Sequence, residues 1–225
     1  MMVSVAALAT RCRAAWPVAM AMVVATTVAC GGVKTATRAE SPHVPVESFL
    51  VELVSSMPAE PISIQSLSVL DVNFHDPFPE APDEGTVERM RRAAGGQGAQ
   101  VLFIESVTTP SRHAYYGFGL RREAGGISPR SVVECGHAAA MKAMEVARKE
   151  ASACLAALRL ARPGAAGAVK LIFQVDAFGQ VYRIAPSPDS SRDSGVQQCG
   201  LDAVSARDFG DHEDFLCRLD LEVAF

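Results

Sequence analysis

The sequence predicts an α+β protein built from two small two-layer units. Some stretches of the 225-residue chain alternate apolar and polar residues, as half-buried strands do, and others repeat apolar residues at helical spacing. The elements follow the order helix, strand, helix, strand, strand in residues 47–125. In residues 131–225 the order is helix, hairpin, helix, strand. The segment EAGGISPRS, which is rich in glycine and polar residues, marks the boundary between the units.

Residues 1–29 have the features of a cleaved export signal. Arg11 and Arg13 precede an uncharged run that is shorter than the roughly 20 apolar residues of a membrane-spanning helix. The run ends in TVAC, which resembles the bacterial lipobox, whose cysteine receives diacylglycerol after cleavage. The resemblance implies that Cys30 is lipidated and that Gly31, in place of aspartate, directs the protein to the outer membrane. The alternative is an ordinary signal peptide that happens to precede a cysteine.

The remainder of the chain is expected to be acidic and tethered to the membrane by its lipid. Residues 30–46 are polar, contain two prolines and lack periodicity, so they predict a flexible tether. The formal net charge of the whole chain is −4, and loss of the two arginines in residues 1–29 makes it −6. Because no basic patch stands out, nucleic acid is not expected as a partner.

The first unit, residues 47–125, begins with a predicted short helix that ends at Pro58. A strand over residues 62–74 follows, and its alternation changes phase at residues 69 and 70, which predicts a bulge or burial on both faces. Thr86 is expected to begin a helix. The nearly continuous apolar run VLFIESV predicts a central strand, and HAYYGFGL predicts the strand after it.

The second unit, residues 131–225, begins with a capping-box pattern. Ser131 and Glu134 form the sequence S-x-x-E, which predicts the start of a long helix that continues through Arg162. AVKLIFQVD and VYRIAP predict a hairpin, in whose turn Gly179 can adopt a positive φ. A second helix and a strictly alternating strand complete the unit.

The cysteines predict disulfides. Cys12 leaves with the signal and Cys30 takes lipid, so four cysteines remain, and an even number in an oxidising compartment favours pairing. Cys135 and Cys154 are 19 residues apart on what is predicted to be one helix. They would be separated by about 28 Å, whereas a disulfide tolerates about 6 Å. Two pairings stay open: Cys154–Cys199 with Cys135–Cys217, or Cys135–Cys199 with Cys154–Cys217.

Residues 150–225 resemble the AgmX/PglI-type C-terminal domain, a relative of the TonB C-terminal fold. The shared marks are a cysteine on each helix, Cys154 and Cys199, the pattern G-x-V-x-L-x-F-x-V from Gly167, GQV after the turn, and a closing alternating strand. The resemblance implies a TonB-like fold and a Cys154–Cys199 bridge, which leaves Cys135 and Cys217 as the second pair. It also implies a periplasmic, non-enzymatic module of envelope complexes. The family's Phe-Pro before the last strand is Phe209-Gly210 here.

No catalytic, cofactor-binding or metal-binding motif stands out. C-x-x-C, G-x-S-x-G, P-loop and H-E-x-x-H patterns are missing from the sequence, so no catalytic residue, metal ligand or cofactor is predicted. The C-G-H triplet at Cys135 could supply two metal ligands, but no second pair follows at a recognisable spacing. Four of the five histidines are expected in loops or at the surface: His43, His75, His113, His137 and His212.

These features predict a bacterial cell-envelope lipoprotein that acts as a structural or adaptor module. An unknown envelope protein would bind through exposed sheet edges. The alternative is a periplasmic ligand-binding protein or enzyme that uses a pocket between the two units, with aromatic residues from HAYYGFGL. A pocket that gathers His75, His113 and acidic residues would favour the alternative, and a free strand edge with dispersed histidines would favour the adaptor. The sequence also allows residues 47–225 to form one continuous domain.

Overall fold

A computed structural model describes residues 27–28, 33–37, 44–58, 62–73, 77–122 and 133–224. This part of the chain is mixed α+β, with three α-helices and two sheets. The helices are α1, Glu84–Gly96; α2, Ala138–Ala161; and α3, Ser194–Ser205. The N-terminal sheet consists of β1, Thr27–Val28; β2, Val33–Thr37; β3, Glu52–Val54; β4, Ile62–Val72; β5, Val101–Thr109; and β6, Arg112–Arg122. The C-terminal sheet consists of β7, Val133–Glu134; β8, Ala168–Asp176; β9, Val181–Pro186; and β10, Leu216–Ala224.

The N-terminal sheet has the strand order β1-β2-β4-β6-β5-β3, and α1 lies on one of its faces. Asp83 caps α1, because its carboxylate accepts a hydrogen bond from the main-chain N–H of Thr86 at 2.7 Å. Met90 and Ala94 of α1 are buried against this face of the sheet. The opposite face belongs to a separate apolar cluster that also includes residues of the second sheet. The N-terminal sheet is therefore covered on both sides.

Burial on both faces explains the mixed pattern of β4. Leu67 and Val69 lie in the cluster shared with the second sheet, whereas Leu70 and Val72 pack toward α1. Burial on both faces of β4 is thus confirmed. The irregularity in its pairing with β6 lies between Ile64 and Ser66, so its expected position at residues 69 and 70 was wrong.

The short helix predicted near residue 50 is replaced by one 3₁₀ turn, Ser48–Leu50, and the strand β3. Val51 is buried between them, while Phe49 and Leu50 are exposed. A helix this short loses the full conformational entropy of nucleation but gains few hydrogen bonds. Pairing of β3 with β5, in parallel, satisfies the backbone instead.

The predicted flexible tether, residues 30–46, contains a strand. β2 pairs antiparallel with β4 over its whole length, and Val33, Thr35 and Ala36 are buried. The prediction of a tether was therefore wrong for Val33–Thr37. The physical reason is that β4 offers an open edge on which even a weakly patterned segment gains main-chain hydrogen bonds.

The C-terminal sheet has the strand order β7-β10-β8-β9, with α2 and α3 on one face. The residues that alternate toward the helices are buried as predicted: Val169, Leu171, Phe173 and Val175 of β8, and Cys217, Leu219, Leu221 and Val223 of β10. Gly179 takes a φ of 73° in the hairpin turn, which is the left-handed conformation expected there. The described elements thus follow the predicted order of helix, hairpin, helix and strand.

The predicted start of the long helix was wrong. α2 begins at Ala138, and Glu134, which was assigned to a capping box, lies in the two-residue strand β7. β7 pairs in parallel with β10, and the main-chain N–H of Cys135 donates to the carbonyl of Arg218 at 3.0 Å. This pairing holds residues 133–135 extended, in a segment where the local sequence favours a helix. Ser131 lies outside the described residues.

Candidate functional site

A cleft of about 420 Å³ separates the second half of β5 from the C-terminal sheet. Residues 105–108 of β5 form one wall, and residues 172–174 of β8 and 182–185 of β9 form the other. The cleft lies on the face of the C-terminal sheet that is turned away from α2 and α3. It is thus a space between the two units, of the kind and size that binding sites commonly occupy.

The wall formed by β5 is also an open strand edge. β6 pairs with β5 over its full length, but β3 pairs only with residues 101–103 on the other side. No other described strand pairs with residues 104–109 on that side. Their outward main-chain groups are therefore available to an added strand. β9 is likewise the last described strand of its sheet.

Glu105 joins the two walls at one end of the cleft. Its carboxylate accepts hydrogen bonds from the hydroxyl of Tyr182 and from the guanidinium of Arg183. That guanidinium also lies over the Tyr182 ring, 5.1 Å from its centre. Burial raises the pKa of Tyr182 above its ordinary value, and the hydrogen bond to Glu105 raises it further. The tyrosine therefore remains a neutral hydrogen-bond donor to Glu105 at the mouth of the cleft.

A buried aspartate organises the turn beside the cleft. Asp176 ends β8 and is completely buried. One of its carboxylate oxygens accepts the main-chain N–H groups of Phe178 at 2.9 Å and Gln180 at 3.0 Å. Such an Asx-type turn satisfies main-chain donors that would otherwise be lost. The other oxygen faces the N-terminal sheet.

This second oxygen connects the two units. The hydroxyl of Tyr116 donates to it at 2.7 Å, and the guanidinium of Arg112 donates to both the Tyr116 hydroxyl, at 2.7 Å, and Asp176, at 3.3 Å. Asp71 of β4 forms an ion pair with Arg112 from the other side. Burial raises the pKa of Tyr116, and the adjacent negative charge of Asp176 raises it further. The network joins the carboxylates of Asp71 and Asp176 through the one guanidinium of Arg112 and ties β4 and β6 to β8.

The structure contains two disulfides, which join Cys154 to Cys199 and Cys135 to Cys217. The Cα atoms of the first pair are 5.5 Å apart, and those of the second are 5.1 Å apart. The first bridge connects α2 to α3. The second connects the segment before α2 to β10, so Cys135 does not lie on the helix as predicted. Cys135 and Cys154 therefore do not lie on one continuous helix, and the separation predicted for them from such a helix was wrong.

Two of the five histidines lie together beside the second disulfide. The ring centres of His137 and His212 are 4.8 Å apart. Nε2 of His212 is 3.4 Å from Sγ of Cys217, and Nε2 of His137 is 3.1 Å from the carbonyl oxygen of Phe209. Burial lowers the pKa of His212, and the neighbouring His137 lowers it further. His212 is therefore a neutral imidazole near pH 7.

The other predicted site features are not gathered in the cleft. His113 stacks on Phe78 at 4.8 Å and forms a 3.1 Å hydrogen bond with Thr108, while Tyr115 faces the α1 side of the sheet. Tyr116 and Phe118 of HAYYGFGL are buried in the cluster between the sheets. His43, His75 and the proposed lipidation site Cys30 lie outside the described residues.

Sequence reasoning did not identify the Asp176 network or the histidine pair. A local signal for Asp176 existed, because aspartate at the start of the glycine turn DAFG favours an Asx turn. The contacts of Asp176 to Tyr116 and Arg112 join residues that are 60 and 64 positions apart in the chain, and no local pattern encodes them. In the described ranges, no three His, Cys, Asp or Glu side chains are arranged to hold a metal ion, and no helix is long and apolar enough to span a bilayer.

Comparison with protein-family models, with curated proteins and with solved structures finds no match for this chain.

Proposed function

We propose that the protein is a non-enzymatic adaptor of the bacterial cell envelope, held at the membrane by a lipid on Cys30. In this proposal it binds an extended segment of another protein in the cleft between its two sheets. The bound segment adds a strand to residues 104–109 of β5, and the C-terminal sheet contacts its side chains. The AgmX/PglI-type and TonB-like character of residues 150–225 belongs to the same proposal.

The single observation that carries this proposal is an open strand edge that faces a cleft. Strand addition needs unpaired main-chain groups for affinity and neighbouring pockets for side-chain selectivity. Residues 104–109 supply the first, and the 420 Å³ cleft beside them supplies the second. Among the other described edge strands, β9 borders the same cleft from the opposite wall, whereas β3 is only three residues long.

Two other observations support an envelope location. The chain holds two disulfides, and disulfides persist in oxidising compartments such as the periplasm. The sequence before Cys30 has the pattern of an export signal and lipobox. β2 begins only three residues after Cys30, a distance of at most about 11 Å along the chain. In this proposal, cleavage before Cys30 removes β1, and the lipid holds β2 and the rest of the N-terminal sheet at the membrane surface.

Site-specific photocross-linking in the native envelope tests the proposed binding mode. Thr108 and Ala185, both exposed at the rim of the cleft, would each be replaced by a photoreactive residue. Lys149, exposed on α2, is the matched control position. We expect the same protein to be cross-linked from the two cleft positions and not from the control. Cross-links from all three positions, or from Lys149 alone, would contradict the proposal.

Filling the cleft provides a second test. Gln174 lines the cleft, is half-buried and alternates with residues that face the helices, so Gln174→Trp should fill the cleft, block an added strand and abolish the cross-link from Ala185. Lys149→Trp, which adds the same ring elsewhere, should leave that cross-link unchanged. Anchoring is tested separately, because Cys30→Ala should release the protein from membranes. Continued membrane association of Cys30→Ala would count against acylation.

The second candidate function is small-molecule binding in the same cleft. It is favoured by the convergence of Glu105, Tyr182 and Arg183, a charged and aromatic group of the kind that orients polar ligands. This candidate predicts a compound that copurifies with the wild-type protein and is lost in Gln174→Trp, with no protein cross-linked from Thr108. Native mass spectrometry separates the two candidates.

A further inference from the structure

Four side chains able to bind a transition metal meet at the start of α2. Cys135 and Cys217 form the disulfide there, Nε2 of His212 lies 3.4 Å from Sγ of Cys217, and His137 packs against His212. We call these four residues the Cys₂His₂ cluster. They come from two short segments, residues 135–137 and 212–217, which only the fold brings together.

Main-chain hydrogen bonds hold the cluster independently of the disulfide. The N–H of Cys135 donates to the carbonyl of Arg218, and that of His212 donates to the carbonyl of Ala177 at 3.1 Å. Cys217 lies in β10, which pairs with β8 through Val175. Gly210, with a φ of 80°, lets the loop approach α2. Breaking the S–S bond would therefore leave both sulfurs and both imidazoles close to their present positions.

We propose that reduction of the Cys135–Cys217 disulfide creates a tetrahedral Cys₂His₂ site for Zn²⁺ or a similar divalent ion. A dithiol supplies the two electrons and two protons: it becomes a disulfide, and the two cysteines become thiols. Metal binding then releases both thiol protons and forms two metal–thiolate bonds. In the oxidised state the sulfurs are bonded to each other, and the described side chains hold no metal site.

The geometry suits zinc. Zn–S and Zn–N bonds of about 2.3 and 2.0 Å at a tetrahedral angle place sulfur and nitrogen roughly 3.6 Å apart. The observed separation of Nε2 of His212 and Sγ of Cys217 is 3.4 Å. His137 can become the fourth ligand if it gives up its contact with Phe209.

The other disulfide provides an internal control. Cys154 and Cys199 join α2 to α3, whereas the three described histidines are occupied elsewhere: His113 stacks on Phe78, and His137 and His212 pair with each other. Reduction of this second bridge therefore yields two thiols without imidazole ligands beside them. The proposal thus predicts metal binding from one reduced disulfide and not from the other.

Cobalt titration tests the proposal directly. The full chain carrying Cys12→Ser and Cys30→Ser, which retains only the four mature cysteines, would be reduced with a phosphine, freed of reductant and titrated with Co²⁺. We expect one equivalent to bind, with thiolate-to-cobalt charge-transfer bands and tetrahedral d–d bands. The oxidised protein should show neither. Zn²⁺ should displace the cobalt and bleach both sets of bands.

Variants assign the site. Adding Cys154→Ser and Cys199→Ser should preserve the cobalt spectrum, whereas adding Cys135→Ser and Cys217→Ser should abolish it. His212→Ala should weaken cobalt binding at least tenfold. If the reduced chain unfolds, one equivalent of Zn²⁺ should restore its circular dichroism in the variant that keeps Cys135 and Cys217. No cobalt spectrum, or a spectrum that survives loss of Cys135 and Cys217, would overturn the proposal.

Discussion

The hydrogen bond between Tyr116 and Asp176 should be a measurable part of the energy that joins the two units. The test is a double-mutant cycle of Tyr116→Phe and Asp176→Asn. Tyr116→Phe removes only the hydroxyl, and Asp176→Asn keeps the shape and the oxygen that accepts the two main-chain N–H groups of the turn. Each variant thus removes the polar contact with little change in packing.

The structure sets the expected magnitudes. The Tyr116 hydroxyl donates to a completely buried carboxylate at 2.7 Å, and a hydrogen bond to a charged group contributes about 1.5–3 kcal/mol. Tyr116→Phe should therefore lower the free energy of unfolding by about 2 kcal/mol. Asp176→Asn also leaves Arg112, whose side chain is only 13% exposed, with Asp71 as its remaining charged partner. It should cost about 3 kcal/mol, near the lower end of the range for breaking a buried ion pair.

Urea denaturation of the disulfide-intact proteins, followed by circular dichroism, measures these energies. The two substitutions share one contact, so their costs should fall short of additivity by about 1–2 kcal/mol. Tyr115→Phe is the matched control, because its hydroxyl donates to the carbonyl of Pro79 and does not reach Asp176. A Tyr116–Asp176 coupling below about 0.5 kcal/mol, equal to that of the Tyr115 control, would refute the proposed connection.

Three further predictions concern stability. Burial raises the pKa of Tyr115, Tyr116 and Tyr182 above the ordinary value of 10. In an alkaline titration of the folded protein, phenolate absorbance should therefore appear only at a pH above the ordinary pKa, and the free energy of unfolding should fall as the pH rises above about 10. Ionisation of the three tyrosines at their ordinary pKa would contradict this prediction. Replacing Cys154 and Cys199 by alanine opens a loop of 45 residues and should lower the free energy of unfolding, measured with denaturant, by about 4 kcal/mol. A loss near zero would contradict the reasoning from the entropy of the unfolded chain. Gly179→Ala should lower the free energy of unfolding by about 2–3 kcal/mol, because the φ of Gly179 is 73° and a Cβ there would lie 2.4 Å from a main-chain nitrogen. Gly164→Ala is the control and should leave stability unchanged, since nothing lies within 4 Å of its Cβ position. Equal melting temperatures for the two variants would contradict the steric role given to Gly179.

The sequence predicted the C-terminal unit best because its signals are local and agree with each other. The buried residues of β8 and β10 alternate strictly, and Gly179 lies where the turn needs a positive φ. The apolar face of α3 was also predicted, and Val196, Cys199, Ala203 and Val204 are buried there. In each case the spacing of apolar residues along the chain and the tertiary packing favour the same type of secondary structure.

The errors arose where pairing with a distant strand outweighs a local signal. Glu134 is part of a helix-capping pattern, yet β10, about 80 residues later, holds it in β7. The segment Val33–Thr37 has little periodicity, yet β4 pairs with it. Whether these segments form strands depends on edges that exist only after the rest of the sheet has formed, so no window of local sequence contains the information.

The candidate site was the least predictable part, for the same reason. The open edge of β5 exists because β3 ends after pairing with residues 101–103. The cleft exists because Tyr182 and Phe178 of the hairpin pack against the other sheet and leave a space beside β5. Both features follow from how the two sheets meet. The sequence suggested a pocket between two units with aromatic residues from HAYYGFGL, but those aromatic residues do not line the cleft.

Amide hydrogen exchange of β5 tests the central proposal of strand addition most directly. Exchange would be measured for the wild-type protein alone and bound to the protein that cross-links from Thr108. Amides of residues 104–109 that face away from β6 should exchange rapidly in the free protein and become strongly protected in the complex. The exchange rates of the α2 amides should not change. Protection confined to α2 or to other surfaces, with residues 104–109 unaffected, would contradict the proposal.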